Sequence, residues 1–280
     1  MCQYYWQKYV GIPTEVYFSM IKMNRENGSL FQYVWLWDKG EKQAENQDAI
    51  YIRNLWTRCG QCCVFCVCDG MGGFGYGKEA AAYTVRCIDE WMDMVFLPML
   101  EKMCFRSVFR CSYSLRGFGF KQRKVLRNAG QMLFYDINKS LFGFGRKKGG
   151  FGTTMSMCIL FGGRYFVFHV GDSALYTVRN GKRLTKKHSI EQDVLERCLG
   201  VNRDGRVDFL CGKCRRKEAF LMGSDGLFKR MEDNMIKSVF QKKQKDRGDK
   251  VYFKKRLEEV VAHNRRRGES DNISAVYVWR

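Results

Sequence analysis

The 280-residue chain is short of several residue types, and each shortage removes a class. It has 2 prolines against 28 glycines, which excludes collagen-like, mucin-like and proline-rich disordered chains. It has 3 histidines, a poor supply for a histidine-based hydrolase centre. Its longest apolar run, Met155 to Phe161, falls far short of the ~20 residues of a membrane helix. The opening residues, Met1 to Lys8, lack a basic segment leading into an apolar one. No secretory signal is therefore expected, and the cytoplasm is the expected compartment.

Hydrophobic residues make up 45% and aromatics 15%, enough to bury one sizeable core and too much for wholesale disorder. The net charge is +20, and half of it falls between Glu101 and Gly150, where twelve cations face Glu101 and Asp136. A field of that size attracts phosphorylated, acidic or nucleic-acid partners, although a solvated helix face on a basic protein gives the same count. No nucleic-acid recognition motif accompanies the charge, so that partner stays a competing reading without support from sequence.

Thirteen cysteines, an odd number spread through apolar stretches, read mostly as reduced thiols packed in the core. Cys59-x-x-Cys62 and Cys211-x-x-Cys214 have zinc-like spacing, whereas Cys62, Cys66 and Cys68 fall on alternate residues of one strand. Packing is favoured over zinc or a redox role.

Residues 1–30 form an aromatic-rich leader that stays unassigned, and 31–280 are expected to form a single domain. A strand from Tyr33 ends at Asp38-Lys39-Gly40, and a second runs from Ala49 to Arg53. The unbroken apolar run Cys62 to Cys68 reads as a strand buried on both faces. Helices are expected from Ala80 to about Pro98 and from Lys124 to Leu141, the latter with Leu126, Met132, Leu133, Ile137 and Leu141 on one side. Strands follow at Thr153 to Phe161, Arg164 to Val170 and Ala174 to Arg179, with turns at Gly162-Gly163 and Asn180-Gly181. A short helix is expected from Ile190 to Cys198, then strands from Arg206 to Leu210 and Glu218 to Met222. Helices from Glu232 to Gln244 and Val251 to Asn264, and a final strand from Ile273 to Trp279, complete the chain. Hairpin strands with interleaved helix pairs imply an α+β fold on antiparallel sheet.

Four apolar strands run into aspartate: Cys68-Asp69-Gly70, Gly171-Asp172-Ser173, Ser224-Asp225-Gly226 and Ser270-Asp271-Asn272. A fifth, Asn46-Gln47-Asp48, precedes a short strand. One such aspartate is an ordinary turn residue. Five on rigid elements call for a reason to hold like charges together, and hard divalent cations are the usual one. A carboxylate set without histidine favours Mg²⁺ or Mn²⁺ over zinc or copper.

At this point the sequence resembles the PPM family, the metal-dependent protein phosphatases of type 2C, in its bacterial form. The matching blocks, in the family's order, are Asn46-Gln47-Asp48, Asp69-Gly70-Met71-Gly72-Gly73, Gly152-Thr153-Thr154, Gly171-Asp172-Ser173, Leu184-Thr185 with His188, Leu199-Gly200, Ser224-Asp225-Gly226-Leu227 and Asp271-Asn272. Each is weak alone; eight in order across about residues 33–280 are specific.

The resemblance implies a central antiparallel β-sandwich flanked by helix pairs, four layers in all. It implies hydrolysis of phosphoserine or phosphothreonine by a metal-activated water, on phosphorylated proteins that are substrates of a Ser/Thr kinase. Asp69 would bridge two Mg²⁺ or Mn²⁺ ions, Asp225 and Asp271 would complete the first site, and the Gly70 carbonyl would ligate the second. Asp48 would act through water, and Asp172 with Asp225 would match a weaker third site. Thr153, Thr154 and His188 read as supporting residues. The competing reading is a weak or inactive phosphatase-fold binding module.

Two departures from the family pattern stand out. Many relatives carry an arginine three residues before the Asn of the Asn-x-Asp block, where it grips the substrate phosphate. Here that residue is Gln43, with Lys42 or Arg53 as candidate substitutes. The family's flap, between His188 and Leu199, is short.

Overall fold

The computed structural model describes residues 17–18, 31–40, 44–57, 60–72, 76–108, 119–148, 150–191, 194–201, 203, 205–215, 217–231, 233–240 and 250–279. The first five strands are β1 (Tyr17–Phe18), β2 (Gln32–Asp38), β3 (Ala49–Thr57), β4 (Gly60–Cys68) and β5 (Gly70–Met71). Helices α1 (Tyr76–Trp91), α2 (Leu97–Val108) and α3 (Phe120–Lys148) follow. Then come β6 (Gly152–Thr153), β7 (Met155–Phe161), β8 (Arg164–Val170), β9 (Ala174–Thr177), β10 (Lys182–Arg183), β11 (Ser189–Glu191) and β12 (Val194–Leu195). The last elements are β13 (Asp208–Lys213), β14 (Ala219–Gly223), α4 (Asp225–Phe228), α5 (Asp233–Phe240), α6 (Lys250–Arg266) and β15 (Ile273–Trp279).

Two sheets form the centre, in the orders β1-β3-β4-β7-β8-β13 and β10-β9-β14-β15-β2. All their pairs are antiparallel except β1 beside β3. Strand β4 shows why its sequence is continuously apolar. Cys62, Val64, Cys66 and Cys68 face the core beneath α1 and α3, while Cys63, Phe65 and Val67 face the core between the sheets. A third core packs the second sheet against α4, α5 and α6 through Leu227, Phe240, Phe253 and Tyr277. Three cores separate four layers, the expected α+β sandwich.

Register also decides the cysteine question. Cys62 on β4 and Cys211 on β13 are three strand spacings apart, about 14 Å, so they cannot share one ion. Cys59 lies outside the described residues. Burial pushes the Cys62 thiol up to about 12, which makes it a packing group rather than a reactive one.

Several elements differ from the sequence reading. Pro98 does not end the first helix: a π-helical turn, Met92–Phe96, precedes it, with the Leu97 N–H donating to the Met92 carbonyl. The wider turn accommodates a proline that lacks an N–H and crowds the preceding turn. On α3, Met132 is 68% exposed, and the buried line runs through Leu126, Phe134, Ile137 and Leu141. Gly130 lies on that line, where an added Cβ would stand 2.2 Å from the Phe168 ring of β8. The helix expected from Ile190 to Cys198 is a β11–β12 hairpin instead. Ile190 and Val194 are exposed, so no apolar helical face exists to bury, and β-branched residues favour strand. Among the described residues no helix is long and apolar enough to cross a membrane.

Candidate functional site

Strand register delivers five aspartates to one end of the sandwich. Asp48 immediately precedes β3, and Asp69 immediately follows β4; their neighbours Ala49 and Cys68 are paired. Asp172 lies two residues beyond β8, whose last residue, Val170, pairs with Met155. Asp225 opens α4, two residues after Gly223, which pairs with Ala275 near the start of β15. Asp271 lies two residues before that strand.

The carboxylates feel one another. Burial, followed by the charges of Asp48, Asp225, Asp271 and Asp172, holds Asp69 well above the usual carboxylate range. Asp48 is 1% exposed, and burial pushes it up to about 7. The nearby Ser274 and Ser224 hydroxyls counter that rise, though neither meets hydrogen-bond geometry with it. Asp225 is raised to about 6, first by burial and then by Asp172 and Asp271. Asp172 is raised by burial, against the opposing charges of Lys187, Arg183 and Lys229.

These oxygens have little else to bind. Both oxygens of Asp48 and Oδ1 of Asp225 are buried and accept no hydrogen bond. Unpartnered carboxylate oxygens in a crowded acidic pocket, with no imidazole among the five, suit hard, oxygen-preferring divalent ions. Among the described residues, no three metal-ligating side chains are gathered tightly enough to form a ready-made ligand shell.

The backbone around the aspartates is held on every side. The Asp69 carbonyl accepts from the Thr154 N–H at 2.8 Å and the Thr153 hydroxyl at 2.9 Å, and its N–H donates to Thr154 Oγ1 at 3.1 Å. Thr154 Oγ1 also lies 2.6 Å from Ser173 Oγ, tying Asp69 to the Asp172 loop. His188 is a strut there. Its Nδ1 accepts from the Gly171 N–H at 3.1 Å, while Nε2 faces Asp208 at 3.1 Å. Burial, with Arg197, lowers its pKa. Gly171 has φ +107, and a Cβ would stand 2.5 Å from Thr154 Cβ, so glycine is required. Gly70 lies so close to the Gly77 and Gln47 carbonyls that a Cβ would meet them at 2.1 and 2.6 Å.

The structure thus brings together Asp48, Asp69, Asp172, Asp225 and Asp271, with Gly70 beside Asp69. Lys42, Gln43 and Gly73 lie outside the described residues. Arg53 is not at this end: it is 2% exposed, and its guanidinium bonds Asp89 Oδ1 at 3.3 Å and Asp93 Oδ1 at 2.5 Å. Its expected candidacy as a phosphate clamp is corrected, because two helix-borne carboxylates hold it against the far stretch of β3.

Arg265, Lys187 and Lys229 were not singled out by the sequence, and Asn272 stood out only as part of the Asp271-Asn272 block. Arg265, near the end of α6, donates from Nη1 to the carbonyls of Asp271 at 2.7 Å and Glu269 at 3.0 Å. It also holds Asp38. Asn272 Oδ1 accepts from the Gln47 N–H at 2.8 Å, and its Nδ2 donates to the Lys39 carbonyl at 2.8 Å. Lys187 and Lys229 supply positive charge beside Asp172. Their only sequence signal is proximity to the aspartate blocks, and Arg265 lacks even that distinction within Arg265-Arg266-Arg267.

The family model described as Protein phosphatase 2C matches residues 40–262. No curated protein matches the sequence. Among solved structures, the S. agalactiae serine/threonine phosphatase is 19% identical, with TM-score 0.68 over 89% of this chain and 99% of that one. The serine/threonine phosphatase Stp1 from Staphylococcus aureus is 18% identical, with TM-score 0.67 over 93% and 99%. The catalytic domain of PstP in complex with 2 manganese ions is 20% identical, with TM-score 0.64 over 89% and 98%.

Proposed function

The chain belongs to the protein phosphatase 2C family, and on that premise we propose that it is a metal-dependent protein serine/threonine phosphatase. One observation carries the reading: five aspartates from five separate segments converge, with three carboxylate oxygens buried and unpartnered. Divalent ions bound there supply Lewis-acid activation of water and of the phosphoryl oxygens. Asp69, pressed by all four other charges, would hold the shared position between two Mg²⁺ or Mn²⁺ ions. Asp225 and Asp271 would complete the first site, the Gly70 carbonyl would face the second, and Asp48 would orient water. Asp172 with Asp225 would hold a weaker third ion. That the PstP structure contains 2 manganese ions supports this assignment.

Thr153, Thr154 and His188 keep these groups in place without touching the phosphate. With Arg53 locked by Asp89 and Asp93, no guanidinium from β3 reaches the substrate, and Gln43 offers no charge. Substrate affinity should therefore be modest, and Lys187, Arg183 and Lys229 are the cations whose charges act on Asp172 and would attract a phosphoprotein. The test is hydrolysis of a phosphothreonine peptide with Mn²⁺, with EDTA, and by Asp225→Asn. Turnover that needs both the metal and Asp225 establishes the activity. Bound metal without turnover on any phosphopeptide would make the chain a phosphatase-fold binding module instead.

A further inference from the structure

Half of the net charge lies between Glu101 and Gly150, and α3 shows how part of it is displayed. This helix is buried along one line and apolar again along the opposite one. The buried line runs through Leu126, Gly130, Phe134, Ile137 and Leu141. At about 100° per residue, Lys121, Val125, Met132, Tyr135, Lys139 and Arg146 fall within an arc of about 80°, centred directly opposite that line. All six are exposed, with Met132 at 68%, Tyr135 at 56% and Val125 at 48%.

The order along that arc is cations at both ends and apolar side chains in the middle. From Lys121 to Arg146 it spans about 38 Å. Among the described residues Lys121, Lys139 and Arg146 make no ion pair. Asp136 is the one acidic residue of the helix. A merely solvated helix face has no use for a methionine, a tyrosine and a valine on its outermost line. Nor does a purely electrostatic surface.

Charge and shape together select the occupant. The face is a single convex ridge, so a folded acidic partner would need a matching trough along its whole length. Nucleic-acid phosphates would pair with the cations but set nothing apolar against Val125 and Met132. An anionic bilayer meets both demands and conforms to the ridge. Lysine and arginine stems reach the headgroups, the Tyr135 ring suits the interface, and Val125 and Met132 enter the acyl boundary. We propose that the outward face of α3 docks on an anionic lipid surface. The helix leads through Gly150 to Gly152–Thr153, which pair with Gly70–Met71 beside Asp69. The aspartate cluster therefore lies toward the Arg146 end of the docked face. Docking needs neither metal nor turnover, so it stands or falls separately from the phosphatase activity.

The test is co-sedimentation of the full chain, in EDTA, with vesicles of phosphatidylcholine alone or mixed with equimolar phosphatidylglycerol. Binding should be confined to the anionic vesicles and fall about ten-fold or more between low and near-molar salt. Met132→Ser combined with Tyr135→Ser changes no charge and should weaken binding about ten-fold. Lys139→Ala should weaken it about five-fold, whereas Lys254→Ala, on the exposed side of α6, should not. These positions are exposed, and an unchanged melting curve shows that each variant is folded. No binding to anionic vesicles, equal losses in Lys139→Ala and Lys254→Ala, or full binding by the double serine variant would each overturn the proposal. So would binding of duplex DNA or polyglutamate that falls in the double serine variant as vesicle binding does, which would assign the face to that partner.

Discussion

The guanidinium of Arg265 donates to the backbone carbonyl of Asp271 at 2.7 Å while gripping the Asp38 carboxylate at the end of β2. One side chain thus fixes the loop that presents Asp271 to both α6 and the second sheet. Arg265→Lys keeps the charge and loses the fork that reaches three partners. The expected result is a fall in divalent-ion affinity of about ten-fold, within the range for groups that orient metal ligands. Thermal stability should change by only about 1 kcal/mol. Calorimetric titration with Mn²⁺ beside a melting curve separates the two effects.

The crowded carboxylates make the metal-free protein pH-sensitive. Asp48 and Asp225 are raised to about 7 and about 6, against ~3.9 when unfolded. The folded protein therefore binds protons that the unfolded one has released, and stability is lost as pH rises through these values. His169, lowered to about 3 by burial, acts in the opposite sense below ~6.5, so the clear window is about pH 6.5–8. Across it these two aspartates should cost the EDTA-treated protein on the order of 1 kcal/mol, and Mn²⁺ should abolish the trend. A Tm that rises with pH in EDTA would contradict the mutual repulsion of these aspartates.

Arg53 tests the correction to its expected role. Removing it in Arg53→Ala leaves Asp89 with only the Tyr51 hydroxyl and a void beneath α1, at a cost of about 3 kcal/mol. KM for a phosphopeptide should stay unchanged in the folded fraction. A KM raised several-fold would return Arg53 to the substrate.

Gly130 is where α3 touches the sheet, and Gly130→Val would force a side chain into the Phe168 ring. Destabilisation of about 2–3 kcal/mol is expected, with partial rescue by Phe168→Leu. Chemical denaturation of the single and double variants measures both. Additive effects would mean that the two residues do not pack as described.

Local pattern was enough for much of this protein. The run Cys62 to Cys68 fits a strand buried on both faces, as found, and the turns Gly162-Gly163 and Asn180-Gly181 set two of the hairpins. The order of the aspartate blocks identified the family, because each block is a strand end whose chemistry is written in adjacent residues. Tertiary structure decided everything that depends on which strands become neighbours. The separation of Cys62 from Cys211 follows from strand order, which spacing along the chain does not encode. The burial of Arg53 depends on carboxylates 36 and 40 residues away. The hold of Arg265 on Asp38 spans 227 positions. Periodicity and turn chemistry act over a few residues, whereas long-range pairing is selected by the packing of all three cores at once.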